Sequence, residues 1–592
     1  MPAREITIAM VGSGGDGVVT MGDIIAQAAA KEGLHVIKTE AYGPQIRGGE
    51  ASCTVRISGD PIDAQGDQVD VLVVFNWADF ARFRGEIAVA KDGIVLYEAS
   101  DATPTEERGA SPGEHQDWIP VPFLQIASES SGMKAAKNIA TLGLLAETFG
   151  LPKSSARKAI EYRFLKKKGP VQEANLKAYD GGAAWARTQT HDLSRKRITY
   201  TSGEPKLLMS GNEASAVGAM HAGCRFFGGY PITPSSEVLH YLSQWLPKVG
   251  GSVVQTEDEL SAIGAVLGAS FAGVKSMTAT SGPGLSLMTE MMGLAAMAEI
   301  PAVIVNVQRG GPSTGLPTKS EQSDLFQAVY AGHGDAPRVV LACEDVESSF
   351  HATVEAFNIA EEFQVPVVVL TDQSVAQQRA TLSLSSLQHA VVNRTVPTPD
   401  QVQDYRRYVE TPTGVSPMSA PGMKGAIYQT NGLEHDEYAR PNSMFLTHEK
   451  MNAKRYRKLR PIRDKYHAFL RFGAERPDVG VLCWGSSKGP VKEAIHKVNA
   501  TGAKVAAFVP QMLYPFPKQQ FEEFLRGLRE ILIVEVSYSA QFYKYLRTFL
   551  DLPAGHVHIF KRSGGKNLAV EETVQEIQKV VQIASRHEEA LV

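Results

Sequence analysis

Short apolar runs alternate with helical stretches along most of this chain. The runs at 6–11, 71–75 and 300–307 are rich in valine and isoleucine and too short for a buried helix, which favours strands buried on both faces. Stretches such as 18–31 and 285–297 follow a turn and have helical character. Strands that alternate with helices predict an α/β fold with mainly parallel sheets.

Breaks in this pattern divide the chain into three predicted domains. A polar, basic stretch without apolar periodicity is interpreted as a linker, and a long stretch rich in proline, glycine and charge as an ordered loop or lid. Each domain is predicted to have its own mainly parallel sheet. The predicted limits are 1–190 for the first domain, 191–206 for the linker, 207–395 for the second domain, 396–470 for the lid region and 471–592 for the last domain.

A glycine-rich loop joins the first predicted strand to the first predicted helix. Gly12, Gly14 and Gly17 have the GxGxxG spacing of a dinucleotide-binding fold, with Glu40 as the acidic residue expected further on. Backbone N–H groups at a helix amino terminus would also suit a phosphate-bearing ligand such as coenzyme A. A tight turn without a ligand is the third interpretation, and all three stay open. Arg47, in the next turn-rich stretch, is either an anion contact or a solvated arginine.

Four turn-rich segments in the second domain carry most of the candidate chemistry. Before them, Asn212 is predicted to cap a helix at 213–222 that is rich in small residues. Most of the four follow a short apolar run, so we expect them to gather at one end of a parallel sheet, where α/β proteins bind ligands. We interpret them as half of a cofactor site. They are 230–237, 255–259, 280–284 and 308–315.

Three side chains in these segments are candidates for the site, but each also has a purely structural interpretation. Thr233 lies between two prolines that fix its backbone and the direction of its hydroxyl, but it is equally suited to cap the following helix. Glu259 comes three residues after Thr256, which is the spacing of a capping box. Arg309 ends a strand before a Gly-Gly-Pro loop, where its paired donors suit a carboxylate; a salt bridge to a neighbouring acid is the alternative.

Composition and charge narrow the classes of function. The 592 residues are 43 % hydrophobic and have a formal net charge of -4, so no general basic surface for nucleic acid is expected. The four cysteines are far apart, without a CxxC pair or zinc spacing, so this chain is predicted to hold no metal cluster. Its apolar runs are shorter than a membrane span and no signal-type pattern opens the chain, so we expect a cytoplasmic protein. The cysteines are Cys53, Cys224, Cys343 and Cys483.

Taken together, the four segments resemble the α subunit of the 2-oxoacid:ferredoxin oxidoreductases, most closely the two-subunit 2-oxoglutarate type. The resemblance covers nearly the whole chain and is most specific in the second domain. It implies that residues 1–190 are a γ-type domain fused to the α chain. It also implies that the second domain is the pyrimidine-side domain of thiamine diphosphate enzymes and that the last is like a transketolase carboxyl-terminal domain.

In that family thiamine diphosphate lies between two subunits, with its diphosphate and Mg²⁺ on the β chain. Gly15, Asp16 and Gly17 look like the start of the magnesium motif, but no asparagine follows before Asn76 and no second Gly-Asp-Gly occurs. The resemblance therefore implies that Mg²⁺ and a [4Fe-4S] cluster belong to the β subunit and that this chain binds no metal. The implied partners are this β subunit, in an (αβ)₂ assembly, and ferredoxin.

The implied reaction converts 2-oxoglutarate, coenzyme A and oxidised ferredoxin to succinyl-CoA, carbon dioxide and reduced ferredoxin, and it can also run in reverse. By resemblance, Glu259 is the acid that hydrogen-bonds the aminopyrimidine ring. Arg309 and Thr233 hold the 2-oxoacid carboxylate, with Thr314 and Thr318 as weaker candidates. The cofactor-binding candidates are Tyr230, Pro231, Ile232, Ser281 and Gly282, and the candidate coenzyme A contacts are Gly14, Gly15, Gly17 and Arg47.

Two other functions stay open at this level. The same enzyme class with pyruvate or a branched 2-oxoacid as substrate would have the same motifs. A non-catalytic nucleotide-binding assembly protein would use only the glycine-rich loop of the first domain.

Overall fold

The computed structural model confirms an α/β fold with three sheets, most of whose strand pairs are parallel. The chain divides into two compact units, Met1–Met209 with Gln378–Ser386 and Ser210–Gln377 with Leu387–Val592. No described helix is long and apolar enough to cross a bilayer. The residues that the structure describes are 3–43, 49–102, 115–165, 169–189, 193–466 and 468–589.

The first unit is built on an eight-stranded mixed sheet. Its strands are β1 (Glu5–Ser13), β2 (His35–Tyr42), β3 (Glu50–Ser58), β4 (Val69–Val74), β5 (Val89–Glu98), β6 (Asp117–Val121), β7 (Leu207–Ser210) and β14 (Arg379–Leu382). The strand order is β6-β5-β4-β1-β3-β2-β14-β7. The helices are α1 (Val18–Lys31), α2 (Trp77–Phe83), α3 (Phe123–Ser131), α4 (Lys137–Phe149), α5 (Lys153–Arg163) and α6 (Pro170–Thr188).

The centre of this sheet departs from a dinucleotide-binding fold. β1 pairs with β4 in parallel, but its other neighbour is the antiparallel strand β3. β2 pairs with the far side of β3. In a dinucleotide fold the strand after the first helix lies beside the first strand. Glu40, on β2, is therefore one strand further from the glycine-rich loop than nicotinamide binding requires.

The second unit begins with a seven-stranded sheet. Its strands are β8 (Phe226–Gly229), β9 (Ser252–Gln255), β10 (Ser276–Thr280), β11 (Ala302–Gln308), β12 (Val339–Ala342), β13 (Pro366–Asp372) and β18 (Met512–Tyr514), in the order β18-β12-β13-β11-β10-β8-β9. All neighbours are parallel except β18 and β12. The helices are α7 (Gly211–His221), α8 (Ser236–Trp245), α9 (Glu259–Phe271), α10 (Gly282–Met297), α11 (Leu325–Tyr330), α12 (Val346–Phe363) and α13 (Gln373–Gln377).

The carboxyl-terminal part of this unit has a five-stranded sheet. Its strands are β15 (Phe469–Gly473), β16 (Val479–Cys483), β17 (Val505–Pro510), β19 (Glu530–Glu535) and β20 (Val557–Lys561), in the order β15-β17-β16-β19-β20. Only β15 is antiparallel to its neighbour. The helices from the lid region onward are α14 (Phe445–Arg457), α15 (Leu459–Lys465), α16 (Lys488–Asn499), α17 (Lys518–Leu525), α18 (Gln541–Phe549) and α19 (Val570–Glu589).

A strand exchange joins the two sheets of the second unit. β18 leaves the five-stranded sheet after β17 and pairs with β12 at the edge of the seven-stranded sheet. The N–H of Ala342 also donates to the carbonyl of Gln511 at 2.8 Å. Apolar side chains from both sheets, such as Ile304 and Ile533, belong to one buried cluster. Burial of this shared apolar surface stabilises the pair of sheets as one body.

The predicted lid region is anchored by buried charges. The carboxylate of Glu299 accepts hydrogen bonds from Lys454 at 2.7 Å and pairs with Lys458 at 2.5 Å. Its backbone carbonyl accepts a hydrogen bond from Arg407 at 2.7 Å. Burial raises the pKa of Glu299, but the charges of Lys454 and Lys458 outweigh burial and hold that pKa well below its usual range. The described part of this region includes helices α14 and α15 as well as loop.

Candidate active site

Four loops meet at the carboxyl-terminal edge of the seven-stranded sheet. They follow β8, β9, β10 and β11, which are parallel and adjacent in the sheet. These are the four turn-rich segments identified in the sequence, and the expectation that they gather at one edge is confirmed. The site is built from the side chains at the start of each loop.

Glu259 is the first residue of α9 and does not cap the helix. The cap is Asp258, whose carboxylate accepts the N–H of Ser261 at 2.7 Å, while the hydroxyl of Thr256 donates to the Asp258 carbonyl at 2.8 Å. The predicted capping box of Thr256 and Glu259 is therefore wrong, because the aspartate next to the helix reaches its N–H groups first. Glu259 is only 7 % exposed, so it is buried at the site, and its carboxyl group does not cap the start of α9.

Gly284 lets Glu259 approach the amino terminus of α10. A Cβ atom at this position would lie 2.0 Å from Thr280 Oγ1, 2.6 Å from Glu259 Cγ and 2.8 Å from Glu259 Oε1. Only glycine fits without displacing these side chains. The carboxyl group of Glu259 therefore lies beside the positive end of the α10 dipole.

Ser281 occupies the N-cap position of α10, but its hydroxyl makes no cap hydrogen bond. The side chain is fully buried, and within the described part of the chain its Oγ has no hydrogen-bond partner. The next residue, Gly282, lies against Asp324, since a Cβ on Gly282 would be 2.9 Å from Asp324 Oδ2. A buried hydroxyl without a partner costs about 1–3 kcal/mol, so this loop is suited to a bound polar group.

Arg309 reaches across the edge to the loop after β8. Its Nη1 donates to the carbonyl of Thr233 at 2.5 Å, and the side chain is 8 % exposed. Its Nε has no partner among the described residues, and none of these residues forms the salt bridge that was the alternative interpretation. Burial lowers the pKa of Arg309, whereas the charge of Asp324 raises it. The guanidinium thus retains an unused donor, as an anion-binding arginine does.

Thr233 holds Arg309 through its backbone. Its side chain is exposed, and the N-cap of α8 is Ser235, so the alternative in which Thr233 caps that helix is wrong. The Thr233–Pro234 peptide bond is cis. Next to it, Tyr230 and Pro231 are exposed, and the carbonyl of Ile232 accepts the N–H of Ser235 at 2.9 Å.

Asn306, Gln308 and Asp324 form a polar group that the sequence motifs did not indicate. Asn306 is fully buried; its Nδ2 donates to Asp324 Oδ2 at 2.9 Å, and its Oδ1 has no partner in the described ranges. Gln308 Oε1 accepts the N–H of Asp324 at 3.0 Å. The available signal was two polar residues at alternate positions near the end of an apolar strand, which places both on one face.

Gln322, in the loop after β11, connects this loop to the five-stranded sheet by hydrogen bonds. Its Nε2 donates to the carbonyl of Trp484 at 2.7 Å, and its Oε1 accepts the N–H of Val536 at 3.0 Å and the hydroxyl of Ser487 at 3.2 Å. Its own N–H donates to the Val536 carbonyl at 2.6 Å. The carboxyl-terminal part of the chain therefore sets the path of this loop.

Thr314 and Thr318 lie exposed in the same loop. The loop is closed at its base by a hydrogen bond from the N–H of Leu316 to the carbonyl of Gly310 at 2.7 Å. The structure thus places these two threonines at the sheet edge that holds Arg309, but further out in solvent.

The glycine-rich loop of the first unit has its own internal bonds. Asp16 Oδ2 accepts the N–H of Ser13 at 3.0 Å, and the hydroxyl of Ser13 donates to Asp79 at 2.7 Å. The N–H of Gly14 donates to the carbonyl of Gly49 at 2.8 Å, and Gly17 has a φ of 74°. Gly14 and Gly15 are exposed. The fourth candidate contact, Arg47, lies outside the described residues.

Family models cover most of the chain. One described as "Pyruvate flavodoxin/ferredoxin oxidoreductase, thiamine diP-bdg" matches 217–454. Those described as "Pyruvate ferredoxin/flavodoxin oxidoreductase" and "Pyruvate:ferredoxin oxidoreductase core domain II" match 7–185 and 477–573. The fold and these matches define the class of the protein as an oxidoreductase subunit with a thiamine diphosphate-binding domain.

Individual proteins narrow this class. The chain is 31 % identical to the 2-oxoacid:ferredoxin oxidoreductase 2 subunit alpha of Aeropyrum pernix, over 93 % of this chain and 94 % of that one. It is 38 % identical to the 2-oxoglutarate synthase subunit KorA of Methanothermobacter marburgensis, over 62 % of this chain and 97 % of the relative. A solved 2-oxoglutarate:ferredoxin oxidoreductase from Magnetococcus marinus, with 2-oxoglutarate, coenzyme A and succinyl-CoA bound, is 36 % identical. It has a TM-score of 0.91 and covers 98 % of this chain and 100 % of that one. The chain belongs to the 2-oxoacid:ferredoxin oxidoreductase family.

Proposed function

We propose that this chain is the α subunit of a thiamine diphosphate-dependent 2-oxoglutarate:ferredoxin oxidoreductase. The reaction converts 2-oxoglutarate, coenzyme A and oxidised ferredoxin to succinyl-CoA, carbon dioxide and reduced ferredoxin, and it can run in reverse. The observation that carries this proposal is the buried Glu259 against Gly284, in the same loop as the buried hydroxyl of Ser281, which has no partner among the described residues. The names of the relatives from Methanothermobacter marburgensis and Magnetococcus marinus support the choice of 2-oxoglutarate.

The residues at the sheet edge fit the aminopyrimidine half of thiamine diphosphate. A flat ring with donors and acceptors needs a buried carboxyl and a further polar group to bond it, which Glu259 and Ser281 would provide, and Gly282 would contact the ring through its backbone. Tyr230, Pro231 and Ile232 would complete the wall of this site. When bound, the cofactor supplies the carbon nucleophile that attacks a 2-oxo carbon.

Glu259 would hydrogen-bond the aminopyrimidine ring and hold the proton that they share. A buried carboxyl suits this general acid–base role, because low exposure keeps water from competing for the proton. Asp258 caps the helix, so Glu259 performs this role without a loss of helix stability.

Arg309 would bind the 2-oxoacid carboxylate, with Thr233 supporting it. The unused Nε of the buried guanidinium supports this assignment, because a carboxylate can accept two parallel bonds from arginine. The hydrogen bond from Arg309 Nη1 to the Thr233 carbonyl supports placing Thr233 in the same pocket, where its hydroxyl would also contact the carboxylate. Thr314 and Thr318, on the exposed loop, are weaker candidates for the same pocket.

The glycine-rich loop of the first unit is the proposed coenzyme A contact, through Gly14, Gly15, Gly17 and Arg47. A Cβ on Gly15 would meet no other atom within 4 Å in the described part of the chain, so a ligand has room to approach the backbone. We retain the domain limits predicted from sequence, with this loop in a γ-type domain at 1–190.

A β subunit would supply the rest of each active site. All four cysteines of this chain are buried and unlinked, and the described residues contain no group of three or more side chains suited to a metal ion. Mg²⁺ and the [4Fe-4S] cluster would therefore lie on the β subunit. We propose an (αβ)₂ assembly in the cytoplasm with ferredoxin as electron acceptor.

Expression of this chain alone and together with its β subunit tests the proposal. The lone chain should be colourless and inactive, whereas the pair should be brown and should reduce ferredoxin when given 2-oxoglutarate and coenzyme A. A brown or active lone chain would overturn the two-subunit assignment. A brown pair that prefers pyruvate would overturn only the assignment of 2-oxoglutarate as the substrate.

A further inference from the structure

Arg338 is a buried arginine for which the described residues provide no counter-charge. It directly precedes β12, at the amino-terminal edge of the seven-stranded sheet, which is the edge opposite the candidate active site. The side chain is only 4 % exposed. Its Nη1 is buried and has no hydrogen-bond partner among the described residues, and its Nε makes only a long bond to the carbonyl of Ala336, at 3.5 Å.

A buried guanidinium in this state is unusual, because charges inside proteins are almost always paired. Arginine keeps its proton in proteins, so Arg338 does not avoid the cost of burial by becoming neutral. Burial lowers the pKa of Arg338, and the neighbouring phenols of Tyr456 and Tyr514 raise it. Burial also raises the pKa of both phenols, so they are uncharged at neutral pH. The planar set of N–H donors therefore stays available for an anion.

The two tyrosines supply further donors near this guanidinium. Tyr514 lies opposite Val340 on the antiparallel strand β18, and Val340 is two residues after Arg338. Side chains two residues apart in an extended chain point to the same face, and diagonal neighbours on two strands are close enough for long side chains to meet. Tyr456 comes from the last turn of α14 and is 37 % exposed, so the group is open to solvent on the side of this helix.

A short loop that contains glycine passes over the guanidinium. It joins α11 to β12, and Gly332 in this loop has a φ of 106°. A Cβ on Gly332 would lie 3.4 Å from Arg338 Nη2 and 3.4 Å from the carbonyl of Thr289. On this side the guanidinium is thus enclosed by backbone and not by an acidic side chain.

We propose that Arg338 and the phenols of Tyr456 and Tyr514 bind a small oxyanion at the amino-terminal edge of the seven-stranded sheet. A carboxylate or a phosphate fits these donors, because its oxygens can accept the paired N–H groups of a guanidinium as well as a hydrogen bond from a phenol. The substrate site proposed at Arg309 lies at the opposite edge of the sheet, so this inference does not depend on the proposed function.

Thermal unfolding of the assembled αβ protein with added anions tests this site. Inorganic phosphate and acetate are the probes, each compared with sodium chloride at the same ionic strength, because a ligand that binds only the folded state raises the unfolding midpoint. We expect at least one probe to raise the midpoint by about 2 °C or more, and Arg338→Gln to lose this increase. The exposed Arg440→Gln is the matched control and should keep the increase.

Equal midpoint shifts in the unmodified protein and in Arg338→Gln would overturn the inference, as would the absence of a shift with either probe. If Arg309→Gln abolishes the shift and Arg338→Gln does not, the anion binds at the substrate site and the inference is wrong. A response to phosphate alone identifies a phosphate ligand, and a response to acetate identifies a carboxylate. Should Arg338→Gln fail to assemble, Tyr514→Phe and Tyr456→Phe provide the same test, because each removes one donor and should reduce the shift.

Discussion

The two glycine-rich loops of this chain look alike in sequence but differ in how their polar groups are satisfied. Each follows a strand and opens a helix, and each has a serine near its start. In the first unit Ser13 gives its N–H to Asp16 and its hydroxyl to Asp79. In the second unit the hydroxyl of Ser281 is buried and has no partner in the part of the chain that the structure describes.

This difference is informative because buried polar groups are almost always paired. In the first loop the N–H and the hydroxyl of Ser13 are already bonded to carboxylates. The second loop leaves the hydroxyl of Ser281 unpaired, and the neighbouring strand β11 and the loop after it leave the Oδ1 of Asn306 and the Nε of Arg309 unpaired, among the residues described. Glycine spacing predicts where a backbone can bend; unpaired groups indicate where a ligand completes the structure.

The largest expected effect is at Glu259, which packs against Gly284 beside the loop with the unpaired hydroxyl. Glu259→Gln keeps the shape of the side chain but cannot hold the shared proton. Turnover of the αβ protein should fall about 100-fold or more, as is typical when a general acid–base group is removed. Dye or ferredoxin reduction measures turnover, and circular dichroism checks the fold.

The exposed neighbour Glu257 is the control for this experiment. Glu257→Gln should retain activity. If Glu259→Gln stays active and Glu257→Gln does not, the catalytic acid is Glu257. The unpaired hydroxyl of Ser281 would then no longer mark a catalytic loop.

A smaller loss is expected at Gly284, where the loop has no room for a side chain. Gly284→Ala would place a Cβ 2.8 Å from Glu259 Oε1, so Glu259 must move. We expect at least about a tenfold loss of turnover and about 1–3 kcal/mol of lost stability from overpacking. Gly293→Ala, on the same helix, meets no described atom within 4 Å and should leave both quantities nearly unchanged. Equal effects of the two variants would contradict a special packing role for Gly284.

Arg309→Lys tests the unpaired donor at the same edge. A lysine keeps the positive charge but offers a point donor in place of a planar fork. KM for 2-oxoglutarate should rise about tenfold with a smaller change in kcat, which steady-state kinetics can resolve. The exposed Arg440→Lys serves as control. Kinetics of Arg309→Lys that match the unmodified protein would move the carboxylate site elsewhere.

Glu344 is a second kind of buried group with an unpaired oxygen, because burial favours its protonated, uncharged form. Its Oε2 accepts from Gln511 at 3.1 Å, but its buried Oε1 has no partner among the described residues. Burial and then the charge of Asp345 raise the pKa of Glu344 to about 7. The folded chain therefore keeps this proton up to about pH 7, while an unfolded glutamate releases it near pH 4.5.

The sign of the resulting pH dependence follows from proton uptake. The folded state binds more protons between these two pKa values, so this group contributes stability at low pH that is lost as pH rises toward 7. Because glutamine does not titrate, Glu344→Gln should reduce the loss of unfolding free energy with rising pH by up to about 3 kcal/mol. Denaturant unfolding between pH 5 and pH 8 measures this difference. Glu347→Gln is the control. An unchanged pH profile for Glu344→Gln would show that the buried carboxyl is not protonated.

Local sequence signals predicted the elements well and the helix ends less well. The helix expected at 18–31 is α1, Val18–Lys31. However, Asn212 was predicted to cap α7, and the cap is Ser210, which forms a capping box with Glu213. Several residues near a helix start can accept an N–H, and the backbone path decides among them.

The site was predicted in part, because its residues come from four segments far apart in sequence. A family resemblance and turn chemistry located Glu259, Ser281 and Arg309 at one sheet edge. The contacts of Asp324 and Gln322 depend on the exact course of the loop after β11 and on the five-stranded sheet. Such contacts are formed by tertiary structure, so no local pattern of residues could indicate them.

The exchange of β18 has a consequence for how the protein is made. The seven-stranded sheet takes six strands from residues 226–372, but its seventh strand is Met512–Tyr514. During synthesis the ribosome completes β12 long before the strand that covers it, so the backbone N–H and C=O groups on that side of β12 stay open. An open strand edge can pair with another nascent chain, and contacts this distant in sequence form slowly. We expect the newly made chain to depend on chaperones until β18 emerges, and truncation before residue 512 to yield aggregates.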